Sequence, residues 1–238
     1  MNQLSNAQRR AVTHVDGPLL VLAGPGSGKT TVITRRTRYL IEDCKIKPSQ
    51  ILVITFTRAA AREMRERFLR QTKNDGTAVS FGTFHAVFFQ ILKLAYGYGA
   101  ENILKEEQKY QFLRDSIRKA KLELDDEAEF LSDVAAEISR VKNERSDLNT
   151  YQASTCNSAV FKGIYNDYDN RLRRSNLIDY DDMLVYCYEL LKERPDILGA
   201  WQRKYQYILV DEFQDINQLQ YDIVRLLAAP EDNLFIVG

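Results

Sequence analysis

The sequence lacks the features of a secreted, membrane-spanning or disulfide-linked protein. Its three cysteines, Cys44, Cys156 and Cys187, are scattered along 238 residues without metal-ligand spacing or a paired framework, which suits a reducing cytoplasm. The longest apolar runs fall far short of the ~20 residues that span a bilayer. The first residues, Met1-Asn-Gln-Leu-Ser5, lack the basic start and apolar core of a signal peptide. We therefore expect a cytoplasmic protein with no membrane partner.

The chain also lacks net charge. Its 33 Lys and Arg residues balance 33 Asp and Glu residues, so any surface for nucleic acid must be local. One basic stretch over 58–73 sets six basic residues against Glu63 and Glu66: Arg58, Arg62, Arg65, Arg67, Arg70 and Lys73. This stretch is equally well explained as a solvated helix face with ion pairs at i,i+3 and i,i+4.

A glycine-rich loop stands out between an apolar run over 19–22 and a helical pattern over 30–41. Its glycines let consecutive backbone N–H groups surround phosphate oxygens, and the helix that follows adds its positive N-terminus. Lys29 would reach the β- and γ-phosphates, and the Thr30 hydroxyl would ligate Mg²⁺. Ala23 stands where the usual pattern begins with glycine, which leaves the phosphate-facing part intact. We predict a nucleoside triphosphate site with these residues: Ala23, Gly24, Pro25, Gly26, Ser27, Gly28, Lys29, Thr30 and Thr31.

Strand and helix patterns alternate in the first and last parts of the chain. Apolar runs predict strands over 19–22, 51–56, 79–81, 207–211 and 234–237. Helices are predicted over 4–12, 30–41, 58–71, 84–94, 179–191 and 219–228, with a turn at Asp75-Gly76. Between 101 and 175 only helical spacing recurs, which indicates an inserted helical region whose aromatic residues form its core. The predicted fold class is α/β, a parallel sheet flanked by helices with an inserted all-helical subdomain.

Asp211 and Glu212 directly follow the fourth predicted strand. Ligands of open parallel sheets bind at the carboxyl ends of the strands, where the glycine-rich loop also lies. Asp211 would hold Mg²⁺ as the acidic partner of Thr30, and Glu212 would orient and deprotonate the attacking water. Two solvated acids at a strand end are the alternative, and the upstream loop favours the catalytic interpretation.

Six short segments follow one another along the chain. They are Leu4–Val12, Ala23–Thr30, Thr55–Met64, Gly82–His85, Asp179–Asp182 and Asp211–Asp215. Together they resemble the N-terminal half of the UvrD/Rep-type superfamily 1 DNA helicases, over nearly the whole chain. The resemblance implies a RecA-like P-loop NTPase domain 1A over 1–98 and 178–238, interrupted by a helical subdomain 1B over 99–177. It implies ATP and Mg²⁺ as cofactors, with single-stranded DNA and a duplex junction as partners.

The resemblance also implies roles for single residues. Gln8 is expected to hydrogen-bond the adenine edge, Lys29 and Glu212 to be catalytic, and Gln214 to couple the γ-phosphate to DNA-dependent movement. Thr30 and Asp211 are the expected metal ligands. The expected DNA contacts are Phe56, Thr57, Arg58, Thr83, Phe84, His85, Lys142 and Asn143. Phe56 either stacks on a base, which is worth on the order of 1–3 kcal/mol, or closes the core behind its strand.

One position departs from the family pattern. Thr31 stands where an arginine that packs on the adenine is common, so adenine binding either relies more on Gln8 and other side chains or is weaker.

The family hydrolyses ATP between two RecA-like domains, the second of which supplies arginines to the γ-phosphate. Because the sequence stops after the last predicted strand, at Gly238, we expect a fragment that hydrolyses ATP slowly and does not unwind DNA. Its partner would be the C-terminal RecA-like domain of the same protein. The whole protein would move 3′ to 5′ in DNA repair or recombination. The alternatives are a phosphate-loop NTPase or kinase that does not act on DNA, and a non-enzymatic DNA-binding module.

Overall fold

Five parallel strands form one sheet in the computed structural model, which describes residues 4–24, 26–72 and 78–238. The strands are β1 (Leu19–Val21), β2 (Ile51–Thr55), β3 (Ser80–Thr83), β4 (Tyr207–Val210) and β5 (Leu234–Val237), in the order β1-β5-β4-β2-β3. The first helices are α1 (Asn6–Thr13), α2 (Lys29–Glu42), α3 (Arg58–Gln71), α4 (Phe84–Tyr96) and α5 (Glu106–Lys119). The later helices are α6 (Glu127–Glu144), α7 (Ser158–Arg174), α8 (Tyr180–Glu193), α9 (Pro195–Lys204) and α10 (Gln218–Ala228). The predicted α/β class is confirmed.

The three interior strands β5, β4 and β2 are buried along their whole length. Their apolar runs do not alternate because helices cover both faces of a parallel sheet. All strands run in the same direction, so their carboxyl ends lie along one edge of the sheet. Along this edge the order is the loop after β1, then Gly238, Asp211, Phe56 and finally Phe84.

The structure moves several predicted boundaries. The third strand lies at Ser80–Thr83 instead of 79–81, and three residues predicted at strand ends, Leu22, Phe56 and Asp211, lie just beyond the strands. Sequence patterns missed α9, a ten-residue helix that begins with Pro195 at its first position and buries Trp201. The predicted turn at Asp75-Gly76 lies outside the described residues.

The chain divides into two compact units. One contains the sheet and comprises the chain up to Val87 together with Leu190–Gly238. Its core includes Ile33, Phe68 and Leu209. No described helix is long and apolar enough to cross a membrane.

The second unit is Phe88–Glu189, whose core is built from α5, α6 and α7. The helical spacing seen in the sequence corresponds to this core, and the aromatic residues Phe161 and Tyr168 are fully buried in it. The units divide inside α4 and α8, whereas the predicted boundaries fall at 98/99 and 177/178. Their assignment as subdomains 1A and 1B stays a prediction.

Candidate active site at the carboxyl edge of the sheet

The glycine-rich loop links the end of β1 to the start of α2. It leaves the sheet after Ala23, whose backbone N–H donates to the carbonyl of Gly238 at 2.7 Å. Gly26 and Gly28 adopt φ angles of 74° and 88°, which favour glycine. Gly28 caps α2, so Lys29 is the first residue of that helix and Thr30 the second. Gly24 and Ser27 are exposed in the same loop. Pro25 lies outside the described residues.

Lys29 and Glu212 meet directly, although 183 positions separate them in the chain. The Lys29 Nζ donates to the Glu212 Oε2 at 2.7 Å. The Gln214 Nε2 donates to the same carboxylate oxygen at 2.7 Å. The hydrogen bond from Gln214, followed by that from Lys29, lowers the pKa of Glu212 below its ordinary value. Glu212 is therefore an ionised carboxylate near neutral pH, held by two donors at the mouth of the phosphate loop.

Asp211 is buried, with 6% of its surface exposed, and its backbone N–H donates to the Ile54 carbonyl at 2.9 Å. The Asp211 Oδ1 is buried without a hydrogen-bond partner among the described residues. Burial, and next the charge of Glu212, raise the pKa of Asp211. A buried carboxylate oxygen without a donor is costly unless a cation neutralises it, and Mg²⁺ prefers oxygen ligands. The unpartnered Oδ1 of Asp211 is therefore suited to a magnesium ion, for which the Thr30 hydroxyl on the second residue of α2 is the other predicted ligand.

A cavity of about 320 Å³ adjoins the phosphate loop. Its walls come from α1 and the preceding Ser5, from the end of β1, from α2 and from Val237 of β5. The volume falls within the range of small-molecule sites. Thr31 is half-buried on α2, and Val32 is the neighbouring residue that lines the cavity.

Gln8 projects from α1 into this cavity and is already oriented by two hydrogen bonds. Its Oε1 accepts from the Ser5 backbone N–H at 3.0 Å, and its Nε2 donates to the Ser27 carbonyl at 2.8 Å. One N–H and one oxygen lone pair of the amide stay available for a ligand. That pair of groups complements the N7 acceptor and the N6 donor of adenine. The Ser5-x-x-Gln8 spacing is that of a capping box, a signal that sequence reasoning did not use.

The segment after β2 presents an exposed aromatic residue next to a basic one. Phe56 has 49% of its surface exposed, so it does not close the core. Thr57 caps α3 by accepting from the Ala60 N–H at 3.1 Å, and Arg58 is exposed at the first position of that helix. The geometry allows a base to stack on Phe56 while Arg58 meets a phosphate.

The segment after β3 is less accessible than the sequence suggested. Phe84 has only 2% of its surface exposed, which argues against the predicted contact of its ring with DNA. Thr83 is also buried, and its hydroxyl accepts from the Ala86 N–H at 3.3 Å, so it caps α4. His85 is half-buried.

Lys142 belongs to a buried charge cluster in the second unit. Its Nζ donates to the Asp179 Oδ2 at 2.8 Å and to the Asp182 Oδ1 at 2.6 Å. The Tyr168 hydroxyl donates to the same Asp179 oxygen at 2.9 Å. Burial alone would lower the pKa of Lys142, but the two carboxylates raise it above its ordinary value. Because its ammonium is enclosed, the predicted contact of Lys142 with DNA is replaced by a structural role.

Asn143 is half-buried next to this cluster. Its Nδ2 donates to the Asp181 Oδ1 at 2.7 Å and to the Ser139 carbonyl at 2.8 Å. Both amide hydrogens are thus used within the protein and are not available to donate to DNA.

The sequence matches a family model over residues 4–238, and that model is described as the UvrD/REP helicase N-terminal domain. This chain is 33% identical over 247 residues to the "ATP-dependent DNA helicase PcrA" of Staphylococcus aureus, and the match covers 100% of this chain and 33% of that protein. It is 36% identical over 249 residues to the "Probable DNA helicase II homolog" of Mycoplasma capricolum, covering 100% of this chain and 34% of that protein. The chain thus spans about a third of the length of these relatives. The chain belongs to the UvrD/REP helicase N-terminal domain family.

Proposed function

We propose that this chain is the ATP-binding, N-terminal part of a DNA helicase or translocase that moves 3′ to 5′ along single-stranded DNA in repair or recombination. The observation that carries the proposal is the arrangement around the Lys29–Glu212 ion pair at 2.7 Å. The buried, unpartnered oxygen of Asp211 lies next to that pair in sequence, at the end of β4. The names of the relatives support both ATP dependence and action on DNA.

The residues of the chain divide the work of ATP hydrolysis among them. Thr30 and Asp211 would hold Mg²⁺, which would neutralise charge on the phosphates when bound. Lys29 exchanges the Glu212 carboxylate for the phosphates when the nucleotide enters. Glu212 is then free to orient a water molecule and accept its proton, with Gln214 holding the carboxylate in position. The positive end of α2 adds to the field at the phosphates.

The nucleotide and DNA surfaces lie on neighbouring strands. The backbone hydrogen bond from Asp211 to Ile54 joins the end of β4 to β2, whose end leads to Phe56. Adjacent strands are about 4.8 Å apart, so a shift of Asp211 would act on the Phe56 segment over a short distance. This connection is our proposed route between ATP binding and DNA contact.

The test is the affinity of the chain for a labelled oligothymidine, measured by fluorescence anisotropy with and without a non-hydrolysable ATP analogue and Mg²⁺. We expect the nucleotide to change the DNA affinity at least threefold. Lys29→Ala should abolish nucleotide binding and this change while it preserves the nucleotide-free DNA affinity. The exposed Lys47→Ala serves as the matched control and should behave like the wild type.

The alternatives give different results in the same assay. A kinase of another class would bind the nucleotide, show no effect of DNA and consume ATP only with a small-molecule acceptor. A non-enzymatic DNA-binding module would bind DNA with equal affinity in every combination of nucleotide and variant. Either pattern contradicts the proposal.

A further inference from the structure

Arg36 is a buried charged residue that the ATPase chemistry does not use. It lies on α2, seven positions after Lys29, and only 1% of its surface is exposed. Its Nη1 donates to the carbonyls of Ala11, at 3.2 Å, and of His14. Its Nη2 donates to the carbonyl of Val15 at 3.2 Å. The guanidinium therefore donates hydrogen bonds to carbonyls at the end of α1 and in the segment that follows this helix.

The Ala11 carbonyl lies in the last turn of α1, where carbonyl groups have no partner within the helix, and the His14 and Val15 carbonyls follow directly after that turn. A cation at this end also complements the helix dipole. The Arg36 Cζ lies 4.6 Å from the centre of the Phe235 ring on β5, so the guanidinium also packs on the sheet. Burial lowers the pKa of Arg36 to about 10, which leaves it cationic at neutral pH. One side chain thus joins α1, α2 and β5.

The same three elements form walls of the cavity next to the phosphate loop. Gln8 and Ala11 of α1, Val32 of α2 and Val237 of β5 all line it. Ala11 faces the cavity and also gives its carbonyl to Arg36, and Gln8 lies one helical turn before it. An isolated eight-residue helix is unstable in water, so α1 depends on such contacts for its position.

We propose that Arg36 is a positioning residue for base recognition, which holds α1 so that Gln8 meets the adenine while Lys29 binds the triphosphate. The proposal rests on the proposed ATP site. It separates two parts of nucleotide binding, because α1 contacts the base side of the cavity and the phosphate loop contacts the phosphates. Loss of the Arg36 contacts should therefore reduce the preference for adenine more than the affinity for a triphosphate.

The experiment compares the Kd values of fluorescent ATP and GTP, with Mg²⁺, for the wild type and Arg36→Lys. Lysine keeps the charge but lacks the planar fork that reaches several carbonyls. We expect the wild type to prefer ATP at least tenfold and Arg36→Lys to prefer it less than threefold, with the GTP affinity unchanged within twofold. The matched control is Arg38→Lys on the exposed face of the same helix, which should keep the wild-type preference.

A double-mutant cycle with Gln8→Ala tests whether Arg36 acts through Gln8. The Gln8→Ala and Gln8→Ala/Arg36→Lys proteins should show the same ratio of ATP to GTP affinity. Equal ratios mean that the effects of the two substitutions on the ATP preference are not additive. A residue that only stabilises the fold would lower the melting temperature, and its effect on the ATP preference would add to that of Gln8→Ala. If Arg36→Lys does not fold, Phe235→Leu removes the ring beneath the guanidinium and should lower the ATP preference in the same direction.

Several results would overturn the inference. The first is an unchanged ATP preference in the folded Arg36→Lys or Phe235→Leu protein. The others are an equal loss of ATP and GTP affinity, and additive effects of Arg36→Lys and Gln8→Ala in the double-mutant cycle. A wild-type chain that binds neither nucleotide contradicts the proposed ATP site and this inference with it. A wild-type chain that prefers ATP, with Arg36 variants that keep the preference, contradicts only the role of Arg36.

Discussion

Replacement of Glu212 by glutamine should separate ATP binding from ATP hydrolysis. The carboxylate accepts hydrogen bonds from Lys29 and Gln214, and glutamine keeps an oxygen acceptor of nearly the same size. The ion pair is partly solvated, since 17% of the Lys29 side chain and 40% of the Glu212 side chain are exposed. Solvated pairs contribute about 0.2–1 kcal/mol. This range sets how strongly Glu212 competes with the nucleotide for Lys29.

Removal of this competition should tighten ATP binding by about 1.4- to 5-fold, because about 1.4 kcal/mol corresponds to a factor of ten. The same change removes the general base, which should slow the chemical step by about 10²–10⁴-fold. Fluorescent-nucleotide titration measures the first effect, and single-turnover hydrolysis with excess protein measures the second.

Glu42→Gln is a matched control for these measurements. Glu42 also forms a 2.7 Å ion pair, with Arg38, and 44% of its side chain is exposed. It should change neither ATP affinity nor hydrolysis. An ATP affinity that falls tenfold or more in Glu212→Gln would refute the proposed exchange of Lys29 between Glu212 and the phosphates. Hydrolysis at the wild-type rate would refute the role of Glu212 as general base.

Three further predictions concern exposed and buried side chains. Phe56→Ala should weaken binding of oligothymidine by about 1–3 kcal/mol in anisotropy titrations, whereas the equally exposed Tyr96→Ala should have less than a twofold effect. Lys142→Met should lower the free energy of unfolding in urea by about 3–5 kcal/mol, since two buried carboxylates lose their cation, without changing the DNA affinity of the folded protein. Burial, together with the Asp179 charge, raises the pKa of Asp182 to about 7 against the pull of Lys142. The folded state then holds a proton that the unfolded chain releases between about pH 4 and 7, so this group lowers the free energy of unfolding by roughly 1 kcal/mol per pH unit as pH rises through that window. Asp182→Asn should remove this pH dependence in urea melts at pH 5, 6 and 7.

Each of these predictions has a result that contradicts it. Equal DNA affinities of Phe56→Ala and the wild type would mean that the exposed ring does not stack on bases. A tenfold loss of DNA affinity in folded Lys142→Met would restore the DNA contact that its burial argues against. An unchanged pH dependence in Asp182→Asn would show that other groups take up the proton.

Four strands of the sheet were predictable from the sequence because they are almost entirely apolar runs, whereas β3 reads Ser-Phe-Gly-Thr and was predicted at other bounds. The run before Asp211 and the run before Phe56 both become strands buried along their whole length. The meeting of Lys29 with Glu212 also follows from the sequence, since parallel strands bring their carboxyl ends to one edge. The residues at which strands end were less predictable, because the first residues after a strand belong to the site and are not marked by a change from apolar to polar.

Burial of single motif residues could not be predicted. Phe56 and Phe84 each follow a strand directly, yet one ring is half exposed and the other is buried. Lys142 looked like a surface cation because its partners, Asp179 and Asp182, lie about 40 positions further along the chain. Only the packing of the helices brings these groups together.

Arg36 had a sequence signal that went unused. It follows Val32 by four positions and precedes Leu40 by four, so it lies on the apolar face of α2. The neighbouring Arg38 lies on the solvent face and pairs with Glu42. An arginine on an apolar face needs a partner, but the carbonyls at the end of α1 could be identified only from the structure.

The effect of Mg²⁺ on ATP affinity in Asp211→Asn tests the central claim most directly. Fluorescent ATP is titrated into the wild type and the variant, each with Mg²⁺ and with a chelator. If Asp211 and Thr30 hold the ion between the phosphate loop and β4, Mg²⁺ should tighten ATP binding at least tenfold in the wild type. The variant should lose this gain and keep, or improve, its affinity for metal-free ATP. A variant that responds to Mg²⁺ as strongly as the wild type would contradict the assignment of the catalytic site.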